Sequence, residues 1–199
     1  MFAKACALKL KEGCSNSAKF QETYGTLDKA LSARQQACFL GSEIDCNSLQ
    51  DLEDKKRKKQ LSIYSQGCQN GVSVHCFNLG HTYFFLREKD KASMAFQKAC
   101  ELNDSLSCGY FASLINNESL FSATTKEFAQ YCKGGKSQDC FYLAALFAFN
   151  NDKVSAVNYL EKALEKGYRS WKHIESAPEF NSIRFSDEFR SLVIKFQGE

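Results

Sequence analysis

Ten cysteines pair off along the chain as Cys6 and Cys14, Cys38 and Cys46, Cys68 and Cys76, Cys100 and Cys108, and Cys132 and Cys140, so every cysteine belongs to a C-x7-C pair. Successive pairs are offset by 32, 30, 32 and 32 residues. A fixed period of this size marks a solenoid of repeated supersecondary units, in which each unit buries its apolar face only by stacking on its neighbours. This single feature constrains the fold more than composition does.

Cys76–Cys100 shows the unit most clearly. After Cys76, Leu79, Gly80 and Tyr83 follow at i+3, i+4 and i+7, one face of a helix. After the polar break Arg87-Glu88-Lys89-Asp90, the same spacing returns at Ala92, Ala95, Phe96 and Ala99. Each unit therefore reads helix A, turn, helix B, and the chain reads as an all-α, αα-hairpin solenoid. Cys100 ends one helix B, Cys108 begins the next helix A, and the Asn, Asp and Ser between them suit a tight turn and a helix cap. Each pair faces across such a turn, so the expected bridges are Cys6–Cys14, Cys38–Cys46, Cys68–Cys76, Cys100–Cys108 and Cys132–Cys140. Two thiols per turn are too few for a structural zinc site; reduced thiols remain the other reading.

The positions Leu79, Gly80, Tyr83, Ala92, Phe96 and Ala99 resemble the tetratricopeptide pattern, with Cys76 where that pattern often carries Trp. Adding C-x7-C at every repeat, the chain resembles the Sel1-like, cysteine-rich repeat proteins of the Helicobacter cysteine-rich type. Those repeats usually carry a Gly-containing insertion between helices A and B that is absent here. The resemblance covers residues 2–167. It implies a protein-binding scaffold whose concave face is lined by helix A. It also implies an alternative function, since such proteins have been linked with penicillin binding and weak β-lactamase activity.

Residues 1–167 are thus expected to form the stapled repeats and residues 168–199 a C-terminal helical cap. Phe2, Ala5 and Cys6 align with Phe96, Ala99 and Cys100, so the chain opens inside a helix B. Residues 46–68 are two short and carry Lys55-Lys56-Arg57-Lys58-Lys59, read as a solvated A–B turn. The cysteine series stops where Leu164 stands in phase, and Gly167 suits the end of that helix. Beyond it, Tyr168, Trp171, Ile174, Phe180, Ile183, Phe185, Phe189, Leu192, Val193 and Phe196 supply the apolar surface that a terminal cap needs. Pro178 marks a break within it, and Asp187 a last helix start.

Paired cysteines in this number point to an oxidising compartment. Residues 1–20 contain no continuous apolar run, and no stretch in the chain is long and apolar enough to span a bilayer. The expectation is a secreted or periplasmic chain whose signal peptide has been removed, with Met1 a later addition. A net charge of +3 is too small to imply a nucleic-acid partner. Gly135-Lys136-Ser137 imitates the end of a phosphate-binding loop but lacks the earlier glycine, Gln130 standing there. There is no G-x-S-x-G, H-E-x-x-H or S-x-x-K. No catalytic residue, metal site or cofactor is expected, and the alternative function has no nucleophile motif to rest on.

The candidate site is the face of helix A at one, five, eight and nine residues after its cysteine. In the third full unit these positions are Phe77, His81, Phe84 and Phe85; in the fifth, counted from Cys140, they are Phe141, Ala145, Ala148 and Phe149. In the fourth they include Asn116 and Asn117, whose amides could bind an extended peptide backbone. The earlier units, counted from Cys14 and Cys46, place Ser15, Lys19, Glu22 and Thr23, then Asn47, Asp51, Asp54 and Lys55, at the same points. The expected ligand set is Phe77, His81, Phe84, Phe85, Asn116, Asn117, Phe141 and Phe149, the partner a protein or extended peptide, and the protein a monomer.

Non-reducing peptide mapping should recover the five C-x7-C linkages and no other. A peptide joining Cys14 to Cys38 would defeat the pairing.

Overall fold

The structure, a computed structural model, describes residues 2–197; Met1, on which the trimmed-leader expectation touches, lies outside the described residues. Among these residues there are twelve α-helices and no strand. The elements are α1 (Phe2–Ala7), α2 (Lys11–Tyr24), α3 (Leu27–Phe39), α4 (Glu43–Gln69), α5 (Ser73–Phe85), α6 (Lys89–Glu101), α7 (Ser105–Leu114), α8 (Glu118–Lys133), α9 (Ser137–Phe149), α10 (Lys153–Glu165), α11 (Trp171–Ser176), a 3-10 turn (Pro178–Ser182) and α12 (Asp187–Gln197). The chain divides into two compact units between Tyr64 and Ser65, within α4.

All five cysteine pairs are bridged as C-x7-C: Cys6–Cys14, Cys38–Cys46, Cys68–Cys76, Cys100–Cys108 and Cys132–Cys140, with Cα atoms 4.3–4.7 Å apart. The bridges differ in their surroundings. Cys14, Cys76 and Cys140 are fully buried, whereas Cys46, in the first turn of α4, is exposed. The Cys38–Cys46 staple therefore lies at the surface, and the Cys132–Cys140 staple lies in the core.

The loops they span share one backbone device. Lys9, Gly41, Gly71, Asn103, Gly135 and Gly167 all adopt positive φ, between 58° and 99°. Each stands three residues after Cys6, Cys38, Cys68, Cys100, Cys132 or, in the sixth loop, Leu164. In five of the six the N–H of the next residue donates to a carbonyl five residues back: Leu10 to Ala5, Ser42 to Ala37, Val72 to Gly67, Asp104 to Ala99 and Tyr168 to Ala163, at 2.9–3.2 Å. This left-handed ending satisfies carbonyls the helix leaves orphaned and turns the chain into the next helix. The loop after Leu164 forms in the same way without a disulfide.

Turns inside three hairpins reuse the device, with Arg87, Asn116 and Asn151 at φ 54–63°. Residues 43–69 do not. The turn expected at Lys55–Lys59 is absent, and those residues lie in the middle of the 27-residue helix α4. No residue between Gly41 and Gly71 adopts positive φ, and no Gly, Pro or Asn lies between Asp51 and Ile63 to end the helix. Lys, Arg, Gln, Leu and Glu all propagate a helix well. Lys56 and Arg57 pair with Asp28 and Asp54, at 2.5 and 3.2 Å.

The first unit is held by a polar core that the apolar periodicity gives no sign of. Arg34 on α3 is buried and donates through Nη1 to Asp45 Oδ1 at 2.6 Å and through Nε to Glu22 Oε1 at 2.7 Å. Asp45 also accepts from the hydroxyls of Ser15 and Ser42, each at 2.5 Å. Burial would raise its carboxyl; these two hydroxyls and the Arg34 guanidinium outweigh burial and hold it below the usual value.

In the second unit successive helices from α5 to α10 pack pairwise. Phe96 of α6 is fully buried and rests on Gly80 of α5, where an added Cβ would come 2.8 Å from the ring. The cap closes the last hairpin. Ile174, Phe180, Ile183, Phe189, Leu192 and Phe196 are buried with Leu160 and Leu164 of α10, whereas Phe185 is 74% exposed.

Gly80→Leu should lower stability by about 1–3 kcal/mol or more through overpacking, and Phe96→Ala by about 3–5 kcal/mol. Denaturant titration of the oxidised protein measures both. An unchanged midpoint for Gly80→Leu would refute the close α5–α6 approach.

Candidate functional site: a groove on the first helices of the second unit

Helices α5, α7 and α9 are the first helices of three successive hairpins. Together with the cap they bound two cavities of about 710 and 600 Å³. Pro178 and Glu179 line both, so the start of the 3-10 turn crosses between them.

The walls are aromatic. Tyr110 of α7 is 1% exposed and stacks on Phe96 with centroids 5.1 Å apart. Phe77, His81 and Phe149 surround it at 5.6, 5.4 and 4.6 Å. Phe84 packs on Phe149 at 4.4 Å, and Phe85 is 42% exposed at the second cavity. Arg87 and Lys89 line that second cavity too.

Glu179 is the polar centre. Its side chain is 6% exposed. Tyr110 Oη donates to Oε1 at 2.6 Å, and His81 Nε2 makes an ion-pair contact with the same oxygen at 2.7 Å. Burial pushes the Glu179 carboxyl up, but the facing His81 and the Tyr110 hydroxyl more than offset it and hold the group below its ordinary value. Burial, and then the charge of Glu179, push the Tyr110 phenol well above its ordinary value, so it stays a donor.

The expected site residues divide into three sets. Phe77 and His81 line the first cavity, and Phe84, Phe85 and Phe149 the second or its wall. Phe141 touches the first cavity but is 1% exposed, stacked on Tyr168 at 4.5 Å and met edge-on by Phe180 at 5.6 Å, so its ring belongs to the cap interface. Asn116 and Asn117 serve the α7–α8 turn: Asn116 has φ 54°, and Asn117 Oδ1 accepts from Leu120 N–H at 3.0 Å, capping α8. Neither lines either cavity. α7 is only ten residues long, and it turns Gly109 into the core, where an added Cβ would lie 2.7 Å from Leu146.

Two residues escaped the sequence pattern, Tyr110 and Glu179. Tyr110 stands two residues after Cys108, and the equivalent Asn78 and Tyr142, two after Cys76 and Cys140, also line the first cavity. That register was available in the sequence. Glu179 was not, because its partners lie 69 and 98 residues away. Among the described residues no three His, Cys, Asp or Glu are placed to hold a metal ion, and no helix is long and apolar enough to cross a membrane.

Residues 76–105, the hairpin α5–α6 and the loop after it, match the tetratricopeptide repeat family. No match was found among the curated proteins.

The carboxyl of Glu179 is depressed in the fold, so its contribution to stability is complete above the unfolded value near 4.5 and is lost as pH falls through the lower native value. Glu179→Gln should cost about 1.5–3 kcal/mol at neutral pH, the range for hydrogen bonds to charged groups. The variant should also lose less stability than the parent between pH 6 and about pH 3. Denaturant midpoints across that range measure the difference; parallel curves would show that Glu179 is not the group responsible.

Proposed function

We propose that this chain, a cysteine-rich repeat protein of the Sel1-like, tetratricopeptide-like type, works outside the cytoplasm as a scaffold that holds a protein or an extended peptide. The observation that carries the reading is the groove on α5, α7 and α9. It combines aromatic walls, the half-exposed Phe85, and two cavities of about 710 and 600 Å³ that meet at Pro178 and Glu179. Aromatic side chains in a concave site, rimmed by polar groups, are the usual anchors of protein recognition. Five disulfides fit an oxidising compartment, either the periplasm or the exterior.

Capture by the oxidised protein from the native envelope, followed by mass spectrometry, tests the reading. Phe84→Ala with Phe85→Ala should reduce recovery of the specific partner at least tenfold. The cost in stability should be small at Phe85, which is exposed, and moderate at Phe84, whose ring meets Phe149. Equal recovery by parent and variant would move binding away from the groove. Turnover of nitrocefin by the pure protein would instead favour the β-lactam-binding alternative.

A further inference from the structure

A segment of the chain itself already lies at the groove: one extended residue followed by the 3-10 turn Pro178–Ser182. Ala177 is extended, with φ −62° and ψ 116°, and leads into Pro178 and Glu179. These residues lie between the two cavities and present a carboxylate to His81 and Tyr110. A carboxylate with so little exposure is costly unless donors meet it. Here α5 and α7 supply one partner each, both at one oxygen.

The remaining charges around the segment are uneven. On the second cavity are Arg87 and Lys89, with no carboxylate but Glu179 itself. On the first are His173 and Asp104, and Asp104 is engaged in capping α7 through Ser107 N–H at 3.0 Å. A chain leaving the His81–Tyr110 position toward the second cavity therefore meets two cations beside the exposed Phe85.

Resting on the groove reading above, we infer that the partner is an extended segment carrying a carboxylate, which seats on His81 and Tyr110 in place of Glu179 and runs toward Arg87 and Lys89. Residues 177–180 are the resident occupant, and the partner displaces them. The resident segment is tethered, and a short tether holds it at an effective concentration in the millimolar range. Micromolar ligand therefore competes poorly while Glu179 is intact. Removing that one carboxylate weakens the resident without touching His81 or Tyr110.

The probe is a fluorescein-labelled peptide, ESAPEFNS, copied from residues 175–182, with anisotropy as the readout. The Glu179→Ala protein should bind it at least tenfold more tightly than the parent. The peptide with Gln in place of its second Glu should bind that variant at least tenfold more weakly, and His81→Ala added to Glu179→Ala should cause a similar loss. Arg87→Ala with Lys89→Ala should weaken a version extended by two C-terminal acidic residues more than the original. Hydrogen exchange of residues 171–183 checks that the variant stays folded and that its cap opens faster; the more conservative Glu179→Gln replaces it if it does not fold. Equal affinity for parent and variant, equal affinity for the Glu and Gln peptides, or no binding to either protein would overturn the inference. So would dimerisation of the variant by exchange of its C-terminal segment, which would make a second copy the occupant. If the peptide fails while Phe84→Ala with Phe85→Ala still loses its partner, the groove reading stands and the acidic class alone falls.

Discussion

The backbone turn that follows every second helix is the element on which the repeats depend. A residue at positive φ ends the helix, its successor donates back to a carbonyl five residues earlier, and the next helix begins within a few residues. This geometry recurs at Gly41, Gly71, Asn103 and Gly167, and Gly135 shares the positive φ, so successive loops have a common local form. The disulfides sit on top of it. Each joins the residue three before the turn to the residue five after it, as Cys38 to Cys46 across Gly41 and Cys132 to Cys140 across Gly135. It closes a loop the backbone has already closed. The Leu164–Gly167 loop adopts the same form with no bridge, which places the chief effect of the staples on the unfolded chain. In the chain-entropy account each short loop contributes roughly 2–3 kcal/mol that way. That matters where the core is built mainly from contacts between neighbouring helices.

The repeated turn also explains which parts of the fold were legible in the sequence. Cysteine spacing, Gly at the turn and the Leu-Gly-Tyr and Ala-Phe-Ala faces are local signals with a fixed period, and they locate nearly every helix. α4 departs from that period because its unit holds no helix-ending residue between Asp51 and Ile63. The deletion left a run of good helix formers, and the chain continued as helix. A missing breaker should have outweighed the period. The Arg34–Glu22–Asp45 network was hidden for another reason: its members look like ordinary surface charges until α2, α3 and the start of α4 bring them together.

The site divides on the same line. Phe77, His81, Phe84, Phe85 and Phe149 follow from helical spacing and line cavities. Asn116 and Asn117 were placed by counting from the cysteine, but α7 is shorter than α5 and α9, so the count runs past its end into the turn. Positive φ and helix capping are what Asn does best in such a place. Tyr110, two residues after Cys108, lines the first cavity although it falls outside that stripe.

Glu179 links the two ends of the second unit in a way that neither the repeat nor the cap would require alone. Phe180, its neighbour, is fully buried against Phe141 and Phe189 and fixes the 3-10 turn to the last hairpin. With that anchor in place the Glu179 side chain stays little exposed, and its charge is met there by His81 and Tyr110. The cap's apolar packing and the buried contacts of Glu179 therefore fall on adjacent residues. On the inference above, a ligand that met His81 and Tyr110 would leave the Glu179 carboxylate without them and favour lifting the turn. Phe180 resists that movement with the burial of a whole ring, worth about 1.5–3 kcal/mol. The resistance is comparable to the strength of a charge-assisted hydrogen bond, about 1.5–3 kcal/mol. Opposing terms of that size leave the segment able to seat firmly in the groove and still able to yield.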